Sequence, residues 1–169
     1  FVPYGNPDVR NVSVAAGLFY LVSYAVTNFG AWAVVISLET QAGKGLTLDD
    51  YSGLAKKHPA LAAAMTVFIL SLIGFPPTLG MVGKFYLFRA VLSGGFTWLA
   101  IIGVVTSLIS AFYYLRMVVN MYMREGDPAT ERETWLDLST GATALLTIAL
   151  SLAPGFLFAW ASEAVLKLF

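Results

Sequence analysis

The chain has 169 residues, 58% of them hydrophobic and only 12% charged, with a mean hydropathy of +0.75; soluble domains average roughly 25% charged residues, so this is the composition of an integral membrane protein whose first partner is the lipid bilayer. Ten basic residues balance ten acidic ones, which leaves no net charge to draw nucleic acid or an anionic surface. With no cysteine and His58 as its one histidine, the sequence offers no disulfide, thiolate metal site, iron–sulfur cluster, paired-histidine haem ligation or His-Glu-x-x-His zinc motif.

In chain order, the segment from Phe1 to Asn11 lacks the charged start and apolar core of a signal peptide, and a chain opening on Phe1 is expected to be a piece of a longer protein. A bilayer core about 30 Å thick needs roughly 20 apolar residues in helix. Val12 to Leu38 carries no charge and forms the first expected span, 12–38. A polar connector follows at 39–58 with Gly43, Gly45, Asp49 and Asp50, and within it Thr47 and Asp50 have the spacing of a short capped interfacial helix. The next stretch, 59–95, is far longer as one helix than a membrane is thick, at about 1.5 Å per residue. Pro76 and Pro77 remove two amide donors there, and Gly74, Gly80 and Gly83 add backbone freedom, so a break is expected near 74–80. A further charge-free stretch runs from Ala90 to Leu115, a charged connector with Gly126 and Pro128 follows from Arg124 to Asp137, and the last charge-free stretch runs from Leu138 to Ser162. The fold class is therefore an all-α integral membrane protein, with residues 1–169 forming a single membrane domain of four transmembrane helices, one of them discontinuous.

Two readings of 59–95 are open. One is a single interrupted crossing whose unwound part is surrounded by protein or water. The other is a hairpin of two short helices turning at Pro76-Pro77, with Lys84 snorkelling to the interface. Half-spans of about 16 residues fall just under the usual minimum of about 17, which favours the interrupted crossing. In that reading the two connectors share one side, where Lys44, Lys56, Lys57, Arg116, Arg124 and Arg132 outnumber Arg10, Arg89 and Lys167 opposite. The positive-inside rule then makes the connectors cytoplasmic, in a multi-pass protein of the cell inner (plasma) membrane.

Lys84 is the candidate functional residue, because an ammonium at bilayer depth costs about 2.5 to 3.5 kcal/mol on insertion scales and such residues usually face a bundle interior or a water-filled cavity. Desolvation works against its charged form, so Lys84 is expected to alternate between ammonium and amine as a proton relay. The break at Gly74, Pro76, Pro77, Thr78, Gly80 and Gly83 would turn free backbone groups toward that charge, with the Thr78 hydroxyl at the same level; the plainer reading of the two prolines is a static kink. On the third span, Tyr113 and Tyr114, with Thr106, Ser107 and Ser110, offer a second polar path, or simply bonds across helices worth about 0.6 kcal/mol each. Arg116 lies near the end of that span, where snorkelling is the simpler role.

The block Ser71-Leu72-Ile73-Gly74-Phe75-Pro76-Pro77-Thr78-Leu79-Gly80-Met81-Val82-Gly83-Lys84-Phe85-Tyr86 resembles the subunit N family of proton-pumping NADH:quinone oxidoreductase, respiratory complex I. Ala111-Phe112-Tyr113-Tyr114-Leu115-Arg116, Phe19-Tyr20-Leu21 and Asn28-Phe29-Gly30-Ala31 extend the resemblance over nearly the whole chain. It implies the C-terminal portion of a fourteen-helix antiporter-like subunit, with helices at 12–38, 59–95, 97–123 and 137–167 and a connector at 124–136, whose twelfth helix is broken and carries a membrane lysine, the position Lys84 occupies. It also implies a proton-translocating role as part of an enzyme assembly, with no redox centre or cofactor in this chain. NADH, FMN, iron–sulfur clusters and quinone would belong to partner subunits, and the neighbours would be other membrane subunits of complex I, including antiporter-like ones. Two other functions fit the same residues: a subunit of a multi-subunit sodium/proton antiporter, and a non-conducting scaffold.

Overall fold

The computed structural model describes residues 7–39, 45–130 and 133–168, and every regular element among these is helical. Seven helices follow in order: α1 (Pro7–Leu38), α2 (Leu54–Lys57), α3 (Pro59–Ile73), α4 (Leu79–Ser93), α5 (Thr97–Met123), α6 (Thr134–Leu152) and α7 (Pro154–Leu168). A 3-10 turn, Leu48–Tyr51, precedes α2; Asp50 accepts hydrogen bonds from the Thr47 amide and hydroxyl, the capping arrangement expected from the sequence. Those two bonds hold the exposed Asp50 carboxyl below the usual range. Gly43, Lys44 and Arg132 lie outside the described residues.

α1 is the column of the fold, in contact with α3, α4, α6 and α7. It starts at Pro7, earlier than residue 12, because a charge-free window stops at Arg10, whereas Pro7 at the first helical position and Asp8 in the first turn suit a helix N-terminus. Its contacts with α3 and α4 run in order. A Cβ on Gly30 would overlap the Phe68 ring, Thr27 meets Ser71, Gly83 faces Tyr20, and Phe19 stands edge-on to Tyr86. Falling numbers on α1 match rising numbers on α3 and then α4. The two short helices thus lie end to end along one partner, which is the course of one interrupted rod and not of a hairpin.

The connectors give the same answer independently. Lys56 pairs with Glu125 at 3.3 Å, Lys57 with Asp127, and Arg124 with Asp49 at 3.3 Å. The Asn120 side chain donates to Leu48 O at 2.9 Å, and the Gly53 amide reaches Asn120 O. Between these two meeting places the chain runs out along α3 and α4 and back along α5. The exposed ion pairs contribute about 0–1 kcal/mol each and mark the meeting more than they hold it. Buried Tyr51, Leu54 and Met121 do more, packing with Leu61, Ala62, Met65, Phe68 and Ile69 beneath the connectors. Burial, with help from the Asp50 and Glu39 charges, pushes the Tyr51 hydroxyl up to about 12, so it stays neutral at any ordinary pH.

The expected fourth span, 137–167, is not one helix. It parts at Ala153 into α6 and α7, because Pro154 has no amide to offer and its ring crowds the preceding turn. The run from Leu138 to Ser162 is free of charge, and a charge-based boundary does not register a backbone breaker within it. α7 then packs on the lower half of α1: Leu157, Ala161 and Val165 join Ala15, Phe19 and Leu79, and Phe158 stacks on Tyr86 with centroids 4.2 Å apart. Among the described residues, three helices are long and apolar enough to cross a membrane by length and composition: Val9–Leu38, Thr97–Met123 and Thr134–Leu152.

Overlap of a β-carbon at position 30 with the Phe68 ring predicts that Gly30→Val destabilises by about 1–3 kcal/mol through overpacking. The thermal midpoint of the detergent-solubilised protein reads this, and adding Phe68→Leu is expected to restore part of the loss.

Candidate functional site

The site is the junction between α3 and α4, and it is built by finding a partner for each backbone group that the break sets free. Helix ends leave four carbonyls or four amides without intrahelical partners. At the end of α3, Gly74 turns left-handed at φ +84°, the conformation glycine adopts without strain. Its amide returns to Ser71 O at 3.1 Å and the Phe75 amide to Leu70 O at 2.9 Å, the paired bonds of a Schellman motif. That leaves Leu72 and Ile73. Lys84 takes both: Nζ donates to Leu72 O at 3.1 Å and to Ile73 O at 2.8 Å. The ammonium thereby sits at the negative end of the α3 dipole.

The amides of α4 are matched as completely. Pro76 and Pro77, joined by a cis peptide bond, have none to satisfy. The Thr78 amide donates to Phe75 O at 2.9 Å, Leu79 to Ser151 Oγ of α6 at 2.7 Å, Gly80 to Ser71 Oγ of α3 at 3.2 Å, and Met81 and Val82 to Thr78 O at 3.1 and 3.3 Å. The Thr78 hydroxyl donates back to Phe75 O at 2.6 Å.

Two glycines allow this closeness. A Cβ on Gly80 would run into the Ser71 carbonyl, so the first turn of α4 touches the last turn of α3 backbone to backbone. At Gly83 the Tyr20 and Phe19 rings lie 3.2 and 3.6 Å from where a Cβ would be. The aliphatic stem of Lys84 lies across Gly74, its Cδ 3.0 Å from the Cβ position there.

Lys84 stands between two unlike spaces. On the α1 side is a small crevice lined by Tyr20, Ser23, Tyr24, Thr27 and Ser71, with about 10 Å³ of free volume, close to the lower limit of about 10–15 Å³ for one water. On the α5 side is a cavity of about 300 Å³ walled mainly by Phe75, Met81, Phe85, Phe88, Val104 and Leu108. Ammonium and amine can therefore meet polar and apolar surroundings within one side-chain length.

Lys84, Gly74, Pro76, Pro77, Thr78, Gly80 and Gly83 are thus brought together at one junction. Tyr113, Tyr114 and Arg116 are not: Tyr113 and Arg116 are exposed, Tyr114 packs against the cluster around Phe68, and none of the three lines either space beside Lys84. Ser71 and Ser151, which hold the start of α4, and Thr27, bonded to Ser71 at 3.2 Å, were not among the residues singled out by the sequence. Their signal there is faint, since a serine in a membrane helix usually bonds to its own helix four residues back.

The sequence profile of the family described as NADH:quinone oxidoreductase/Mrp antiporter, TM, matches residues 9–110. The chain is 43% identical over 155 residues to NADH-quinone oxidoreductase subunit N of Chloroflexus aggregans, which covers 90% of this chain and 32% of that protein. To subunit N of Trichlorobacter lovleyi it is 44% identical over 142 residues, covering 83% and 28%. Among solved structures, a chain of respiratory complex I from Thermus thermophilus with bound aureothin superposes with a TM-score of 0.77 at 32% identity, over 86% of this chain and 34% of its own length. A chain of the Mrp complex from Dietzia sp. DQ12-45-1b superposes with a TM-score of 0.80 over 92% of this chain and 38% of its own, at 23% identity, a likeness of fold. The chain spans about a third of the length of the curated relatives it matches. With more than half of its residues inside the matched profile, and with the interrupted helix and its lysine within that region, the chain belongs to the NADH:quinone oxidoreductase/Mrp antiporter transmembrane family.

Proposed function

We propose that this chain is the C-terminal part of a fourteen-helix, proton-translocating membrane subunit of NADH:quinone oxidoreductase, and that Lys84 carries the proton through its part of the route. The observation that carries this reading is the Lys84 nitrogen seated on the two carbonyls left over at a helix break. Kinship with proteins named subunit N supports the assembly it would serve. In this reading the membrane is crossed four times: by α1, by α3 and α4 as one interrupted rod, by α5, and by α6 with α7. The connectors face the cytoplasm of a cell bounded by its inner (plasma) membrane, since the sequence places Lys44, Lys56, Lys57, Arg116, Arg124 and Arg132 in or beside them, against Arg10, Arg89 and Lys167 at the other end.

The chemistry asked of the chain is modest. Desolvation opposes the ammonium, while two carbonyls and the end of the α3 dipole favour it, so both protonation states are within reach. The ammonium gives its proton to water or a hydroxyl beside it and later takes another from the opposite space. Oxidation of NADH and reduction of quinone, with FMN and iron–sulfur clusters, belong to partner subunits, and neighbouring antiporter-like subunits complete the route. The fold it shares with a chain of the Mrp complex also suits a sodium/proton antiporter subunit. Purification with flavin- and iron–sulfur-bearing subunits excludes that second role, and their absence favours it.

Arginine and methionine at position 84 separate a carrier from a cap. Arginine keeps the charge and can bond both carbonyls but does not deprotonate in proteins. The full-length subunit carrying Lys84→Arg is expected to assemble normally and to lose most proton pumping per NADH oxidised, and Lys84→Met is expected to lose pumping and some stability. Normal pumping by Lys84→Arg in an assembled complex would reduce Lys84 to a structural cap. Gly80→Ala, which drives a methyl into the Ser71 carbonyl, is expected to lower stability by about 1–3 kcal/mol, read as a lower thermal midpoint of the assembled complex.

A further inference from the structure

The hydroxyls around Lys84 are not equivalent, and the direction of their hydrogen bonds separates them. Ser23 Oγ donates to Phe19 O at 2.7 Å and Thr27 Oγ1 to Ser23 O at 2.8 Å. A hydroxyl has one hydrogen. Thr27, having placed its hydrogen on Ser23 O, can only accept from Ser71 Oγ at 3.2 Å, while Ser71 Oγ in turn accepts the Gly80 amide at 3.2 Å. The order is fixed: Gly80 N–H to Ser71, Ser71 to Thr27, Thr27 to the Ser23 carbonyl. Such a run begins on an amide and ends on a carbonyl, the one too weak an acid and the other too weak a base to relay protons near neutral pH. It is a brace between α4 and α1, not a wire.

That leaves the two phenols of the crevice. Tyr24 is 48% exposed, whereas Tyr20 is half-buried and lies against Gly83, the residue before Lys84. The two rings stack with centroids 6.0 Å apart. Neither phenol shows a hydrogen-bond partner among the described residues, and a phenol can accept one proton while releasing another.

We propose that Tyr20 is the proton-exchange partner of Lys84 on the α1 face, with one water between them and Tyr24 next in line. This rests on the reading of Lys84 as a carrier. In the step, an N–H bond of the ammonium breaks and its proton joins the bridging water. That water passes one of its own protons to the Tyr20 oxygen, and the original Tyr20 O–H proton leaves toward Tyr24 or a water beside it. Lys84 is left as amine, Tyr20 is again a neutral phenol, and one proton has moved from Lys84 to the Tyr24 side of the crevice.

Tyr20→Phe tests this in the full-length subunit of the assembled complex, because it keeps the ring stack and the contact with Gly83 while removing the hydroxyl. Pumping per NADH oxidised is expected to fall by at least about threefold, short of the roughly 10²-fold or more that a lost acid–base group costs in catalysis, since water remains in the crevice. Heavy water should slow the variant more than the parent, and the thermal midpoint should stay unchanged. Thr27→Val, which cuts the brace, is expected to do the reverse: a lower midpoint with parental pumping in whatever assembles. Parental pumping by Tyr20→Phe, or a loss without the larger deuterium effect, overturns the assignment. If Lys84→Arg abolishes pumping and Tyr20→Phe does not, only the Tyr20 step fails; if Lys84→Arg pumps normally, the carrier reading fails and takes Tyr20 with it.

Discussion

Inside an apolar slab a backbone amide or carbonyl without a partner costs several kcal/mol, and that constraint decides how a helix can be interrupted there. The junction of α3 and α4 meets it without relying on solvent for its amides. Four carbonyls at the end of α3 are divided between two turns of the chain itself and one lysine. Four amides at the start of α4 are met by the preceding turn and by serines from two other helices. Two prolines reduce the demand further, since a residue without an N–H leaves none unpaired. Lys84 is part of this arrangement before it is anything else: without its two bonds, Leu72 O and Ile73 O would lack partners.

The same constraint explains why α1 has to be a continuous column. An interrupted rod has no stiffness of its own at the break, so its halves are aligned by what they share. Phe68 against Gly30 fixes the α3 half, Tyr86 and Gly83 against Phe19 and Tyr20 fix the α4 half, and the Thr27–Ser71 bond sits between them at the level of the junction. α6 adds Ser151 from the other side, which sets where α4 begins. By contrast α5 leans on the rod with one narrow face and turns Ile101, Ile109 and Phe112 outward, as expected of a helix whose remaining surface meets lipid or another apolar neighbour.

The sequence made the break legible because its signals are backbone signals: Gly74, Pro76, Pro77 and Gly80 lie together, and each has a local physical meaning. Lys84 was legible for the opposite reason, as one cation in an apolar run. What escaped depended on distance. Ser71 and Ser151 look like ordinary helix-satisfied hydroxyls until a neighbouring helix end is brought against them, and no spacing in the chain announces that meeting. Tyr113 and Tyr114 belong to a run of hydroxyl groups along α5 of which Ser107 alone lines a space beside Lys84, whereas the polar crevice there opens toward α1, where Tyr20, Ser23, Tyr24 and Thr27 form a similar run. Periodicity finds a polar stripe; it does not say which stripe faces the charge. Pro154 carried a signal as plain as that of Pro76, and it went unread because that stretch was bounded by its lack of charge.

In the proposed relay, capping and carrying are done by the same two bonds, which couples them. Hydrogen bonds from a charged donor are worth about 1.5–3 kcal/mol and from a neutral one about 0.5–1.5 kcal/mol. Over the two carbonyls, loss of the proton therefore weakens the hold on Lys84 by on the order of 1–3 kcal/mol, and each 1.4 kcal/mol is roughly a tenfold change in population. The ammonium is kept on the α3 end beside the polar crevice, while the amine is freer to leave it. An amine also tolerates the larger cavity walled by Phe75, Met81, Phe85 and Phe88 better than an ammonium does, because desolvation penalises the charge and not the neutral group. Charge state thus selects which side of the rod the nitrogen favours. A proton taken up from one space and released to the other needs that kind of asymmetry, and here it follows from a helix end on one side and an aromatic wall on the other, with no movement of the helices themselves.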